Sequence, residues 1–109
     1  MKKFLVLYRA PVSAIQQMTQ ATPEQAKAGM DAWMGWTEKV GAAIVDMGAP
    51  LGNPAYVGPA QLGSRHVGGY GIVQAESMDA AKRLFDDHPH LRMSGASIEV
   101  MECLSMPGM

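Results

Sequence analysis

Charge is scarce in this 109-residue chain. Asp, Glu, Lys and Arg together make 17% of it, where an ordinary soluble domain carries about a quarter. Nine basic and ten acidic residues leave a net charge of -1, and no basic run exceeds Lys2-Lys3. A dispersed, balanced set of this kind gains little from counterion release, which argues against a nucleic-acid partner. Cysteine is nearly absent. The single Cys103 excludes an intrachain disulfide and any Cys-x-x-Cys metal motif. In its apolar segment it reads as a reduced, buried thiol. No apolar run approaches the roughly 18 residues of a membrane helix. The start, MKKFLVLYRAP, has too short an apolar stretch for a signal peptide. These absences point to a cytoplasmic protein with no membrane partner.

What is present is apolar content. At 48% hydrophobic the chain is not disordered in bulk. Its length fits one domain spanning 1–109, with a flexible C-terminal tail expected from about 105. Ten Met residues supply adaptable packing.

Lys3 to Tyr8 (KFLVLY) is apolar on both faces and reads as a central strand. Thr22-Pro23-Glu24-Gln25 is a helix start, with Thr22 as cap, Pro23 at the first position and Gln25 completing a capping box. Ala26, Met30, Trp33, Thr37, Val40, Ile44 and Met47 then recur every three or four residues. That stripe predicts one helix over 24–47, stopped by Gly48. Residues 48–65 read as turns around short strands near 55–57 and 61–65. Gly68-Gly69 leads into a strand over 70–75, where Gly71 implies a bulge or close backbone approach. Ser77 caps a second helix carrying Met78, Ala81, Leu84 and Phe85, and Pro89 blocks its continuation. SIEVMECL (97–104) forms a last strand, with Ile98 and Val100 on one face and Glu99, Met101 and Cys103 on the other. The expected order is βαββαβ, an α+β, ferredoxin-like protomer. Its helices cover one sheet face, and the apolar other face calls for cover from a second copy, hence a homodimer.

The densest polar cluster is Asp86-Asp87-His88-Pro89-His90. An imidazole beside a carboxylate can move a proton either way near neutral pH, which makes His88 and Asp86 candidate acid–base residues. His88 also has the phase of a core imidazole, four residues after Leu84. Arg9 can clamp a small carboxylate in bidentate fashion, or pair with Glu99 or Glu102 on a neighbouring strand. Trp33 and Trp36, one turn apart, wall a pocket or fill a core. Tyr8, Trp36, Tyr70 and His90 are the candidate ligand-binding residues. His66, His88 and His90 could approach a metal only with a carboxylate such as Asp86, and no closed metal motif is present. Gly68-Gly69 precedes a strand, whereas a nucleotide-phosphate loop follows one, so no cofactor is called for. No Gly-x-Ser-x-Gly nucleophile elbow occurs.

Val67-Gly68-Gly69-Tyr70-Gly71-Ile72-Val73 with Ala75-Glu76-Ser77-Met78-Asp79-Ala80-Ala81 resembles the YCII-related family, including its DGPF branch. His88-Pro89-His90-Leu91, Gly95-Ala96-Ser97-Ile98-Glu99-Val100 and the first strand KKFLVLYRAP extend the resemblance along nearly the whole chain. The signature itself is reduced to Val57-Gly58-Pro59-Ala60, without its Asp and Phe. The resemblance implies a dimeric α/β barrel, related to muconolactone isomerase-like proteins, and a His–Asp acid–base pair in a cleft. With no His soon after Pro11, His88 with Asp86 or Asp87 is the local counterpart. The functional expectation is a cofactor-independent acid–base enzyme of isomerase or lyase type on a small polar or cyclic carboxylated metabolite. His88 would shuttle the proton and Arg9 would hold the anion. The alternative is a non-catalytic small-molecule-binding or accessory homodimer.

Overall fold

The computed structural model describes residues 1–59 and 66–108. Strand β1 (Lys2–Ala10) is followed by helices α1 (Ala14–Gln20) and α2 (Pro23–Val40). A single helical turn leads into strand β2 (Ile44–Asp46). Strand β3 (His66–Ala75), helix α3 (Met78–Arg83), a short turn of helix at Pro89–Arg92 and strand β4 (Ser97–Glu102) complete the chain. The strands form one antiparallel sheet in the order β2-β3-β1-β4.

The elements follow the expected βαββαβ order with one helix more in the first crossover, but the ferredoxin-like protomer expected as half of a dimeric α/β barrel is corrected. The chain is a mixed α+β fold whose sheet stays open. The edge strands β2 and β4 do not pair with each other among the described residues, and β2, with only three residues, is too short to close a barrel. The first crossover also carries two helices where one was expected. Ser13 caps the additional one, α1, by accepting from the Gln16 N–H at 3.1 Å. Its short, polar sequence buries nothing and so leaves no periodic signal.

The capping box forms as its residues require: the Thr22 hydroxyl accepts from Gln25 N–H at 3.1 Å, and the Gln25 side chain accepts from Thr22 N–H at 2.9 Å. The helix does not reach residue 47. Gly41, with φ 53°, stops it, and Ile44 moves into β2. The apolar period thus runs on past the end of the helix, because the following strand faces the same core. Of the short strands expected in the loop, 55–57 is irregular, Val57 to Pro59 is exposed, and 61–65 lies outside the described residues. Cys103 is exposed rather than buried, because β4 ends at Glu102.

The core lies on the helix-covered face. Phe4, Val6, Tyr8 and Ala10 alternate inward from β1, as the two-residue period of a strand requires. They meet Val73 and Ala75 of β3, Ala81 and Phe85 from the α3 region, and Trp36 of α2. The opposite face carries Leu5, Leu7, Tyr70 and Ile72, all half-buried, with Met101 beside Leu5. Only the second half of α2 packs: residues 22–31 are exposed throughout, and Met30 is 63% exposed. The radius of gyration, 15.0 Å, exceeds the roughly 13 Å of a compact chain of this length.

Two glycines carry opposite predictions. Gly48 has φ +71°, and a Cβ there would sit 1.7 Å from the Tyr70 carbonyl oxygen. Gly48→Ala should destabilise the protein by at least about 2 kcal/mol in urea unfolding. Gly29, inside α2, has open space where a methyl group would project, so Gly29→Ala should stabilise by up to about 1 kcal/mol. Equal effects from the two substitutions would contradict this backbone assignment.

Candidate functional site

His88 follows α3 at the position where Pro89 starts the next helical turn. It is 1% exposed. Trp33 and Trp36 lie against its ring with centroids at 4.4 and 4.5 Å and steep interplanar angles. Tyr8 and Phe85 close the shell at 5.1 and 5.8 Å. The Nδ1 atom accepts the backbone N–H of His90 at 3.0 Å, which assigns the proton of the neutral ring to Nε2. Among the described residues, Nε2 is the one buried side-chain polar atom without a hydrogen-bond partner. Aromatic faces are weak acceptors that reduce this cost. Burial disfavours the imidazolium and, aided by His90, lowers the His88 pKa to about 4. Asp87 pulls the other way to a smaller extent.

Trp36 anchors α2. Its indole N–H donates to the Leu84 carbonyl at 2.7 Å, and its ring stacks on Phe85 at 5.1 Å. His90 is half-buried, with Nε2 2.9 Å from the Arg9 carbonyl oxygen, and it meets Tyr8 edge to face at 5.4 Å. Tyr8, Trp36, His88 and His90 are thus brought together. The side chains of Arg9, Tyr70 and Asp86 are elsewhere. Arg9 follows Tyr8 on β1 and so turns to the other sheet face, where Nε and Nη2 both donate to Oε1 of Glu99 at 3.2 and 3.1 Å. Tyr70 is paired with Leu7 on that same face. Asp86 is exposed, while its neighbour Asp87 pairs with Lys39, whose hydrogen bond holds the Asp87 carboxyl below its ordinary pKa. His66 begins β3 and is exposed, and no group of three His, Cys, Asp or Glu side chains is spaced to hold a metal among the described residues.

Two depressions border this cluster. A cleft between α2 and the β2–β3 side of the sheet contains about 250 Å³ of space continuous with solvent, lined by Tyr8, Trp33, Trp36, Thr37, Asp46 and Gly71 among others. The cleft is narrow throughout, with room for roughly one water. A Cβ at Gly71 would meet the Asp46 carbonyl oxygen at 3.4 Å, an ordinary contact distance, so the close backbone approach expected at this glycine does not require it. A shallower groove of about 390 Å³ lies on the far side of Trp36, with Lys39, Asp87 and Arg92 at its rim. Asp46 is the cleft residue that sequence reasoning missed. Its Oδ1 accepts the Gly48 N–H at 2.8 Å, a turn for which Asp-x-Gly is the available signal.

No protein-family model matches the chain, and no curated protein matches it. The resemblance to the YCII-related family is therefore corrected, along with the barrel it implied: the matching segments are a Gly-Gly-Tyr strand, a short capped helix and an edge strand, which any open antiparallel sheet of this kind can contain. No helix among the described residues is long and apolar enough to cross a membrane.

His88 makes stability depend on pH. Its folded pKa of about 4 lies below the ordinary 6.5, so unfolding takes up a proton in the window between them. Stability is full above that window and falls as pH drops through it, by about 3 kcal/mol once both states are protonated. Denaturant unfolding of wild type and His88→Phe from pH 7.5 to 3.5 (about the window set by that shift) should give a shallower acid slope for the variant. Parallel curves would show that His88 is not held neutral.

Proposed function

We propose that this chain is a small-molecule-binding protein, acting as a homodimer, rather than an acid–base catalyst. The observation that carries this reading is the sealing of His88. A proton shuttle must reach its substrate, yet this imidazole is enclosed by four aromatic side chains, and one nitrogen is engaged by a backbone N–H. The two groups that would assist it are not beside it: Arg9 is on the opposite sheet face and paired with Glu99, and Asp86 is exposed. What remains is a narrow cleft with aromatic walls and few polar groups, the character of a binding site. The exposed thiol of Cys103 suits a reducing, cytoplasmic setting.

The homodimer part rests on the open sheet face. Leu5, Leu7, Tyr70, Ile72 and Met101 form a contiguous apolar surface across three strands, larger than isolated exposed residues account for. The Arg9–Glu99 pair beside it is internally neutralised. A second copy of the same face supports burial of this apolar surface across a two-fold axis, with the exposed Lys3 at its edge.

Titration with a panel of small cyclic, carboxylated and amine compounds, read by Trp fluorescence, should give at least one saturable response. His88→Phe should retain that binding. A turnover abolished by His88→Phe with binding intact would instead establish catalysis. In sedimentation equilibrium the wild type should be a dimer and Leu7→Lys a folded monomer. A monomeric wild type at all concentrations would remove the dimer from the proposal.

A further inference from the structure

We propose that the groove between α2 and the Asp87–Arg92 turn binds a small monocarboxylate with a compact apolar body. This rests on the binding reading above, places the ligand on the other side of Trp36 and names its class. Room decides the place. The cleft leaves only about 10 Å³ open to the centre of a water-sized group, whereas the groove leaves about 180 Å³ by the same measure. That is comparable to a cavity that takes a single aromatic ring.

The sequence accounts for the space. Ala32, Gly35 and Lys39 recur at three- and four-residue spacing and so share one face of α2. Ala32 and Gly35 are the two smallest residue types, and a Cβ at Gly35 would meet nothing within 4 Å. On the opposite wall, Pro89 starts the turn that carries Arg92, with Asp87 just before it. Ala32, Gly35 and Pro89 make no hydrogen-bonding demand through their side chains, which suits an apolar ligand body.

Charge decides the ligand. Lys39 and Asp87 at the rim are paired and cancel each other. Arg92 is exposed, and its guanidinium has no hydrogen-bond or ion-pair partner among the described residues. The groove therefore carries one uncompensated positive charge. It resides on the side chain best shaped to grip a carboxylate through two parallel hydrogen bonds. A dianion such as a phosphate monoester would bring a further negative charge to a rim that Asp87 already occupies. A cation would meet Lys39 and Arg92 with only a paired carboxylate to hold it.

The experiment titrates benzoate, its uncharged counterpart benzamide, phenyl phosphate and benzylamine into the full chain at constant ionic strength. NMR follows the Gly35 amide, the Arg92 Nε–H and the Trp36 indole N–H. Benzoate should move the Gly35 and Arg92 signals together and bind about fivefold more tightly than benzamide. Arg92→Gln should remove that preference and leave benzamide unaffected. Gly35→Leu places a good helix former where there is open space. It should keep the circular dichroism of the wild type and weaken both ligands about tenfold by filling the groove. Equal affinity for benzoate and benzamide, a preference that survives Arg92→Gln, or tighter binding of phenyl phosphate or benzylamine would overturn the carboxylate assignment. Binding that leaves the Gly35 and Arg92 signals unmoved and survives Gly35→Leu would overturn the groove while leaving the binding reading intact. No response to any of the four or to the wider panel would overturn both.

Discussion

The strict alternation of β1 is the constraint from which the rest follows. One strand of nine residues runs through the middle of the sheet, and each successive side chain must point to the opposite face. Phe4, Val6, Tyr8 and Ala10 therefore build the core, while Leu5, Leu7 and Arg9 face away from it. This single rule separates Tyr8, which touches His88, His90 and Trp33, from Arg9, which is next to it in the chain. Residues adjacent in sequence become members of two different surfaces, one aromatic and enclosed, the other aliphatic and open.

The enclosed surface has an unusual electrostatic character. Its aromatic rings offer no strong hydrogen-bond acceptor, so the ring of His88 is tolerated there only without charge. The backbone N–H of His90 fixes its tautomer, and Pro89 between the two histidines holds the turn that delivers that N–H. The polar groups that would ordinarily make a histidine reactive are thus used to keep it inert. The same shortage of positive charge is what leaves Asp46 as the dominant charge at the cleft.

Much of the fold is legible in the residues, and the departures have physical causes. The Thr22–Gln25 capping box, the Ser77 cap and the two faces of β4 follow from local chemistry and appear in the structure. The apolar spacing overshoots the end of α2 because Ile44 continues it in a strand that faces the same core. Helix α1 buries no residue, so no hydrophobic period announces it. For the site, the core phase of His88 relative to Leu84 is visible in the sequence, but its partners are not. Trp33, Trp36 and Tyr8 reach it from distant parts of the chain, and only the tertiary packing brings the four rings together. The pairing of Arg9 with Glu99 is one of two alternatives the sequence leaves open, decided by the register of β1 against β4.

Half of α2 is a beam fixed at one end. Its eighteen residues span about 27 Å, yet contact with the body begins only around Ala32, and the firmest attachment is the Trp36 indole on the Leu84 carbonyl. The capping box at Thr22 keeps the free end helical without help from the sheet. The helix thus divides into an outer half held only by its own cap and an inner half that supplies the aromatic wall of the cleft.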